Sequence, residues 1–148
     1  MAQMTQTGFH VRAASESDLP AVLRIYNDAV LTTTATFDTQ PETMAQRVTW
    51  FRHHGKRHPV LVVEHDGEVR GWASLSEWST RCAYELTAEN SIYIDESFQG
   101  RGAGKVLLAQ LIHAGRQAGL RTIFARIAST QTVSVHLHER AGFRHVGT

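Results

Sequence analysis

The chain has 148 residues, of which 42% are hydrophobic and 20% are charged, values that are ordinary for one globular domain. Lysine and arginine total 15 against 14 aspartate and glutamate residues, so charge gives no argument for nucleic acid or an anionic membrane as a partner. The single cysteine, Cys82, excludes an intrachain disulfide, and the longest aliphatic run, Val60 to Val63, is far shorter than the roughly 20 residues of a membrane-spanning helix. The length predicts one domain over residues 1–148. Because the N-terminus is polar and lacks the apolar stretch of a signal peptide, the sequence predicts a cytoplasmic protein.

The first half of the chain carries the signals of one strand, two helices and a hairpin. Apolar residues recur at helical spacing after serines that can cap a helix, and a second helical pattern has a proline near its start. A valine-rich run then meets Asp66-Gly67, a dipeptide typical of a two-residue type I′ turn. The predicted elements are a strand over Phe9–Arg12, helices over 18–31 and Pro41–His54, and hairpin strands over Pro59–His65 and Glu68–Leu75.

The second half of the chain predicts alternating strands and helices. Alternation along Thr87–Ile94 places Ile92 and Ile94 on one face of a strand and Ser91 and Tyr93 on the other. A glycine-rich loop follows, then a helix with an apolar stripe that ends at a glycine. The remaining predicted elements are a strand over Arg121–Ile127, a helix over Thr132–Ala141 and the start of a last strand over Phe143–Gly147. This order predicts an α/β (α+β) fold, a mixed sheet with helices on its faces.

The sharpest local signal is the loop Gln99-Gly100-Arg101-Gly102-Ala103-Gly104-Lys105, between a predicted strand and a predicted helix. Unpaired N–H groups at a helix start, with glycines that admit the backbone close to an anion, form a cradle for phosphate or pyrophosphate. The P-loop pattern fails because position 99 is Gln and position 106 is Val, and the dinucleotide pattern fails because Lys105 stands in its third glycine slot. On these residues alone, a plain glycine-rich turn without a ligand stays an alternative.

Two motifs in the second half resemble the GCN5-related N-acetyltransferases (GNAT). The strand followed by Gln99-x-x-Gly102-x-Gly104 and a helix is similar to the acetyl-CoA motif of this family, Q/R-x-x-G-x-G/A. A second signature of the family is matched between Thr132 and Phe143 by Ser134, Leu137, His138, Gly142 and Phe143. The resemblance extends from Val11 to the end of the chain and implies the GNAT fold, a mixed central sheet with helices on both faces.

Three further stretches resemble the phosphinothricin acetyltransferases and their relatives that acetylate methionine sulfoximine or methionine sulfone. They are Arg24-x-Tyr26-Asn27-x-Ala29-Val30 with the threonine-rich loop to Phe37, Trp78-x-x-Arg81-x-Ala83-Tyr84, and Glu89-x-Ser91-Ile92-Tyr93-Ile94. The resemblance implies direct transfer of acetyl from acetyl-CoA to the amine of a small amino-acid-like molecule, without an acyl-enzyme, by a homodimer. Nucleic acid, membrane and metal are not expected as partners.

The resemblance assigns one group of residues to acetyl-CoA. Amides of the glycine-rich loop would hold the pyrophosphate, and exposed backbone of the Ile92–Ile94 strand would pair with the pantetheine as a peptide adds to a sheet edge. The expected cofactor residues are Ile92, Tyr93, Ile94, Gln99, Gly100, Arg101, Gly102, Ala103, Gly104, Lys105, Gln131 and Ser134.

The resemblance also implies two catalytic candidates. Glu89 is the candidate base that takes the proton of the ammonium, directly or through a water, and a backbone N–H near Ile94 is the expected donor to the developing oxyanion. His138 stands where many members have Tyr and is the candidate to supply a proton or a hydrogen bond to the departing thiolate. The plainer alternatives are a solvated carboxylate at a strand end for Glu89 and a helix C-terminal cap or dipole partner for His138.

Four residues are the substrate candidates. Arg81 would bind an amino-acid carboxylate in a bidentate interaction, and Phe37, Trp78 and Tyr84 would line a compact pocket. The alternative for the three aromatic residues is a place in the core. Cys82 is expected to be an ordinary small residue, because the family reaction needs no cysteine nucleophile.

Two departures from the family pattern leave alternatives open. Gln131 stands where the family usually has Asn, and the chain stops at Thr148 where members continue with a further strand. An unpaired sheet edge is a liability, so we expect either a truncated form or a gap that a neighbouring subunit covers.

The rival functions are a protein N-terminal acetyltransferase and a CoA-binding module without turnover.

Three histidines, His53, His54 and His58, are grouped in a polar stretch. No Cys or acidic residue stands at metal-ligand spacing from them, and we interpret the group as solvated loop.

Overall fold

The strands of this protein form one mixed sheet whose order follows the chain. The computed structural model describes residues 3–4, 8–32 and 39–148, and for residues 3–4 and Cys82 it describes the backbone alone. Within them, the strands of the six-stranded sheet are β1 (Gln3–Met4), β2 (Phe9–Ala13), β3 (Val60–His65), β4 (Glu68–Glu77), β5 (Thr87–Ile94) and β6 (Thr122–Phe124). Neighbours from β1 to β5 pair antiparallel, whereas β5 and β6 pair parallel. The predicted mixed sheet is confirmed.

Helices cover both faces of this sheet. They are α1 (Leu19–Thr32), α2 (Met44–Arg52), α3 (Ala103–Gln117) and α4 (Thr132–Arg140). On one face, α3 packs its leucines on β2 to β5, and on the other face α1 packs on Trp72 of β4. Close approach of α3 depends on Gly115, because a Cβ at this position would lie 2.9 Å from the Cδ1 of Leu75.

The start of α1 is fixed by an ion pair with β2. Arg12 donates two hydrogen bonds to the Asp18 carboxylate, at 2.7 and 2.8 Å. These bonds lower the pKa of Asp18 from its ordinary value against the opposing effect of its burial. The same carboxylate accepts from the backbone N–H of Ser15 at 2.8 Å. The predicted serine start of the helix is therefore reinforced by an acidic residue three positions later.

The hairpin turn is the predicted one. Asp66 has a φ of 53° and Gly67 a φ of 78°, and positive φ at both central positions defines a type I′ turn. The second hairpin strand, β4, continues to Glu77, two residues beyond its predicted end.

Side chains along β5 alternate between the two faces of the sheet, as predicted. Ala88, Ile92 and Ile94 contact the cluster under α3, and Tyr93 contacts the cluster under α1. Because Glu89 is an even number of residues from Tyr93, it projects from the α1 face.

The predicted last strand over Phe143–Gly147 is wrong. The N–H of Phe143 donates to the carbonyl of His138 at 3.0 Å, so this segment closes the end of α4 instead of joining the sheet. A short strand that the sequence pattern did not predict, β1, pairs with β2.

Two other predicted elements are shorter in the structure. Helix α2 begins at Met44 rather than at Pro41, because the side chain of Thr43 caps it and accepts from the N–H of Gln46 at 3.2 Å. Strand β6 ends at Phe124, where its pairing with β5 ends. No helix in the described ranges is both long and apolar enough to cross a membrane.

Candidate active site

Beyond Glu89, β5 continues without a strand beside it on the β6 side. Its pairing with β6 ends at Glu89, whereas its pairing with β4 continues to Ile94. The N–H of Asp95 donates to the carbonyl of Arg70 at 2.7 Å. Since hydrogen-bonded and non-bonded pairs alternate along an antiparallel ladder, the N–H and C=O groups of Ile92 and Ile94 point to the open side. The two diverging strands therefore leave an exposed backbone edge.

The glycine-rich loop lies at the end of this edge. Gly100 and Gly102 have φ angles of 78° and 93°, and a Cβ at either position would meet no atom within 4 Å. Lack of space therefore does not require glycine at these positions. Their left-handed backbone conformation does require it. The side-chain amide of Gln99 donates to the carbonyl of Ile94 at 3.4 Å, which ties the loop to the strand. Helix α3 begins directly afterwards at Ala103, with the unpaired N–H groups of a first helical turn.

An open cleft of about 630 Å³ runs from this loop along the β5 edge to α1 and α2. Its volume lies in the range of small-molecule sites, roughly 300–1,000 Å³. The predicted site residues that line it are Glu89, Ile92, Tyr93, Ile94, Gln99, Gly100, Gly102, Gly104, Lys105, Gln131, Ser134 and His138. Two predicted cofactor residues do not line it: Ala103 is buried in the core, and Arg101 stacks on the ring of Phe98 at 4.6 Å.

The candidate base, Glu89, is held by an arginine that sequence analysis did not single out. The Nε of Arg126 donates to one carboxylate oxygen of Glu89 at 2.5 Å, and its Nη2 donates to the other at 3.0 Å. These hydrogen bonds raise the pKa of Arg126 above its ordinary value. Both residues line the cleft. The sequence could not identify Arg126, because its contact with Glu89 depends on the register of β5 against β6, which no local motif encodes.

His138 is a buried histidine with both ring nitrogens hydrogen-bonded. Its Nδ1 lies 2.7 Å from the carbonyl oxygen of Ser134, which can only accept, so Nδ1 carries the proton. Its Nε2 lies 3.1 Å from the amide nitrogen of Asn90 and accepts from it in the neutral ring. Burial lowers the pKa of His138, although the bond to Ser134 partly opposes this. The sequence analysis missed Asn90, which lines the cleft beside His138.

An aromatic wall forms the cleft end under α1 and α2, and of its rings the sequence analysis named only Tyr93 as a site residue. The ring of Tyr93 packs 5.4 Å from Tyr26 and 5.1 Å from Trp72. The guanidinium of Arg47 lies 4.5 Å from the Tyr26 ring, and Arg47 forms an ion pair with Glu42. The helical spacing of Tyr26 indicated burial, but only the packing of α1 on the sheet brings these rings to the cleft.

Of the substrate candidates that the structure describes, none lines the cleft. Trp78 is 38% exposed, and its ring packs 5.0 Å from Phe124, next to the cleft residue Arg126. Arg81 and Tyr84 are exposed and do not line the cleft. The alternative that Trp78 and Tyr84 belong to the core is wrong. Phe37 lies outside the described residues.

The histidines after α2 are only partly solvated, because His54 is partly buried against the sheet. Its Nδ1 lies 2.7 Å from the Trp50 carbonyl and its Nε2 lies 3.0 Å from the hydroxyl of Ser76. His53 is exposed. Across the part of the chain that the structure describes, no three His, Cys, Asp or Glu side chains are grouped to hold a metal ion.

Comparisons with known proteins agree with this geometry. The model of the acetyltransferase (GNAT) family matches residues 22–143. The chain is 39% identical over 139 residues to the L-methionine sulfoximine/L-methionine sulfone acetyltransferase of Pseudomonas paraeruginosa, a match that covers 93% of this chain and 81% of that protein.

Solved structures share the fold. A GNAT superfamily phosphinothricin acetyltransferase from Sinorhizobium meliloti in complex with AcCoA superposes with a TM-score of 0.91 at 32% identity, over 95% of this chain and 77% of that one. A ribosomal-protein-alanine N-acetyltransferase from Brucella melitensis superposes with a TM-score of 0.89 at 35% identity, over 93% and 85%. The chain therefore belongs to the GNAT family and is an acetyltransferase, as the motif around Gln99 predicted.

Proposed function

We propose that this acetyltransferase moves the acetyl group of acetyl-CoA to the α-amine of a small amino acid of the methionine sulfone, methionine sulfoximine or phosphinothricin type. The observation that carries the proposal is the position of the Glu89 carboxylate, in the cleft wall where β5 and β6 part. The names of the Pseudomonas relative and of the Sinorhizobium structure support the substrate class.

The loop and the β5 edge fit a donor that has a pyrophosphate and an amide-containing arm. Backbone N–H groups near Gly100 and Gly102, at the start of α3, would hold the pyrophosphate, and Lys105 would add positive charge. The outward peptide groups of Ile92 and Ile94 would pair with the arm as a peptide pairs with a sheet edge. Gln131 and Ser134 of the opposite wall complete the proposed donor site. When bound, acetyl-CoA supplies the activated acetyl group.

Glu89 would accept the proton that the substrate ammonium must lose, because only a neutral amine can attack a carbonyl carbon. The N–H of Ile94 points to the open side of β5 and would donate to the oxygen that becomes negative during the attack. Direct transfer is part of the proposal: the amine nitrogen would bond to the acetyl carbon, the carbon–sulfur bond would break, and CoA would leave as a thiolate that takes a proton from solvent. This chemistry requires no nucleophilic side chain.

For His138 we propose a positioning role in the cleft wall. Donation of a proton to the thiolate requires a proton on Nε2, but the neutral ring already accepts the amide of Asn90 there, and burial disfavours the charged ring. The hydrogen-bonded pair instead holds α4 against β5 beside the cleft.

A homodimer is also part of the proposal, as the family resemblance implies, and so is the cytoplasmic location that the sequence analysis predicts. The dimer is tested by analytical ultracentrifugation of the purified chain at several concentrations. A monomer at every concentration would contradict it.

The function is tested by release of free CoA thiol from acetyl-CoA in the presence of an acceptor panel. The panel holds phosphinothricin, methionine sulfoximine, methionine sulfone, ordinary amino acids and N-terminal peptides. We expect turnover of the sulfone-like amino acids, and we expect Glu89→Gln to lower kcat by about 10²- to 10⁴-fold, the typical contribution of a general base. Glu139→Gln makes the same change on an exposed face of α4, outside the cleft, and is the matched control.

Other outcomes would change the assignment. Turnover of peptides alone would favour a protein N-terminal acetyltransferase; the Brucella structure is named a ribosomal-protein-alanine N-acetyltransferase. Binding of acetyl-CoA with no turnover of any acceptor would favour a CoA-binding module.

A further inference from the structure

The cleft holds an anion and a cation in direct contact, Glu89 and Arg126, and an α-amino acid carries the same two charges. We propose that Arg126 binds the α-carboxylate of the substrate, and that in the free enzyme it rests on Glu89 until an amino acid takes its place. This inference rests on the proposed function and names the residue that selects amino acids among amines.

The geometry follows from the place of the reacting amine. If Glu89 takes the proton of the amine, the amine nitrogen lies within hydrogen-bond reach of that carboxylate. In an α-amino acid the carboxylate carbon is two bonds from this nitrogen, a distance of about 2.5 Å by standard bond lengths. The carboxylate of the substrate must therefore lie within a few ångströms of Glu89, where the guanidinium of Arg126 already stands.

The existing ion pair is easily exchanged. The side chain of Arg126 is 64% exposed and that of Glu89 is 22% exposed, so water reaches the pair and weakens the attraction between its two charges. An incoming amino acid replaces one ion pair with two, because its ammonium faces Glu89 and its carboxylate faces Arg126. The planar guanidinium presents two parallel donors that match a carboxylate.

Other cationic side chains are less suited to bind the α-carboxylate of the substrate. Among the described residues of the cleft wall, the remaining arginine is Arg47, which is 2% exposed and paired with Glu42. Lys105 lines the other end of the cleft, directly after the glycine-rich loop. Arg81, the candidate that the family resemblance implied, is exposed and does not line the cleft.

The test pairs two acceptors with two enzymes. Methionine sulfone is compared with methionine sulfone carboxamide, in which a neutral amide replaces the carboxylate, and wild type is compared with Arg126→Gln. We expect Arg126→Gln to lower kcat/KM for the acid by about 30-fold, because the variant loses a charge-assisted bidentate contact with the carboxylate. The loss should appear mainly as a higher KM. For the carboxamide we expect a change of less than about threefold, because its neutral amide offers no carboxylate for the guanidinium of Arg126 to bind. Lysine keeps the positive charge but lacks the planar guanidinium, so Arg126→Lys should recover part of the kcat/KM that Arg126→Gln loses for the acid.

Arg121→Gln is the matched control, because Arg121 is an exposed arginine just before β6 that does not line the cleft. It should leave both acceptors unchanged. Thermal melting of each variant separates loss of binding from loss of folding.

Two outcomes would overturn the inference alone. An equal loss for acid and carboxamide in Arg126→Gln would mean that Arg126 only positions Glu89. A loss specific to the acid in Arg81→Gln, with none in Arg126→Gln, would move the carboxylate contact to Arg81. Absence of turnover of every amino acid by wild type would instead refute the proposed function, and the inference with it.

Discussion

Gly102 shows how one backbone conformation has different consequences at the two ends of α3. Gly102 precedes the helix with a φ of 93°, and Gly119 follows its last turn with a φ of 86°. A Cβ at either position would meet no atom within 4 Å. The cost of an alanine is therefore backbone strain alone at both positions, about 1–2 kcal/mol for a left-handed residue. Of these two glycines, Gly102 lines the cleft and Gly119 does not.

We expect Gly102→Ala and Gly119→Ala to lower the free energy of unfolding by similar amounts and to differ in acetyl-CoA affinity. Alanine at position 102 shifts the amides proposed to hold the pyrophosphate, and we expect the KM for acetyl-CoA to rise about tenfold, equivalent to about 1.4 kcal/mol. Gly119→Ala should leave this KM unchanged. Denaturant unfolding and steady-state kinetics measure the two effects, and equal KM values for both variants would contradict the proposed cradle.

At the scale of elements, α2 and α4 are tied to the sheet in the same way. His54 follows α2, and His138 lies in the last turn of α4. The Nδ1 of each bonds the carbonyl four residues earlier, and the Nε2 bonds a side chain of the sheet, Ser76 for His54 and Asn90 for His138. Burial is the largest cause that lowers the pKa of both histidines. Each therefore favours the neutral ring in the native state.

Stability should consequently depend on pH in the range where histidine titrates. The unfolded chain binds a proton on each histidine near its ordinary pKa of about 6.5, whereas the native state resists it until lower pH. The contribution of the two histidines to the free energy of unfolding is thus fully present above about pH 6.5, and it is lost as the pH falls through their lowered native pKa values. Urea unfolding between pH 7.5 and 5 measures this loss, and it should be smaller in His54→Gln and in His138→Gln than in wild type. An acid-induced loss of the same size in all three proteins would contradict the role of these histidines.

For the whole molecule, the proposed donor site links regions that are distant in the chain: the β5 edge, the loop before α3 and the start of α4. A ligand that binds only this assembled arrangement stabilises the native state by mass action. The donor should therefore act as a global stabiliser of the fold.

We expect acetyl-CoA at 100 times its Kd to raise the free energy of unfolding by about 2.7 kcal/mol, a shift in Tm of about 5–11 °C for a chain of this size. Differential scanning fluorimetry with increasing acetyl-CoA measures the shift, and NAD at equal concentrations is the control, because the loop fails the dinucleotide pattern. A Tm that does not change up to millimolar acetyl-CoA would refute the proposed donor site.

Much of the fold followed from local signals. Helical periodicity predicted α1 and α3, alternation predicted the two faces of β5, and Asp66-Gly67 predicted its turn, because periodicity and turn conformation depend on neighbouring residues. The glycine spacing after Gln99 predicted the loop that lines the cleft. Element ends were less predictable, since the end of β6 depends on its pairing with β5 and the segment after α4 bonds back to the helix.

The sequence by itself therefore determined the family, the order of most elements and the glycine-rich loop, all of which reside in short stretches of chain. Only the tertiary structure decided which distant side chains meet. Arg126 reaches Glu89 across 37 residues of sequence and Asn90 reaches His138 across 48, because strand register and helix packing bring them together. The physical reason is that such contacts depend on how whole elements pack, and no spacing along the chain encodes this packing.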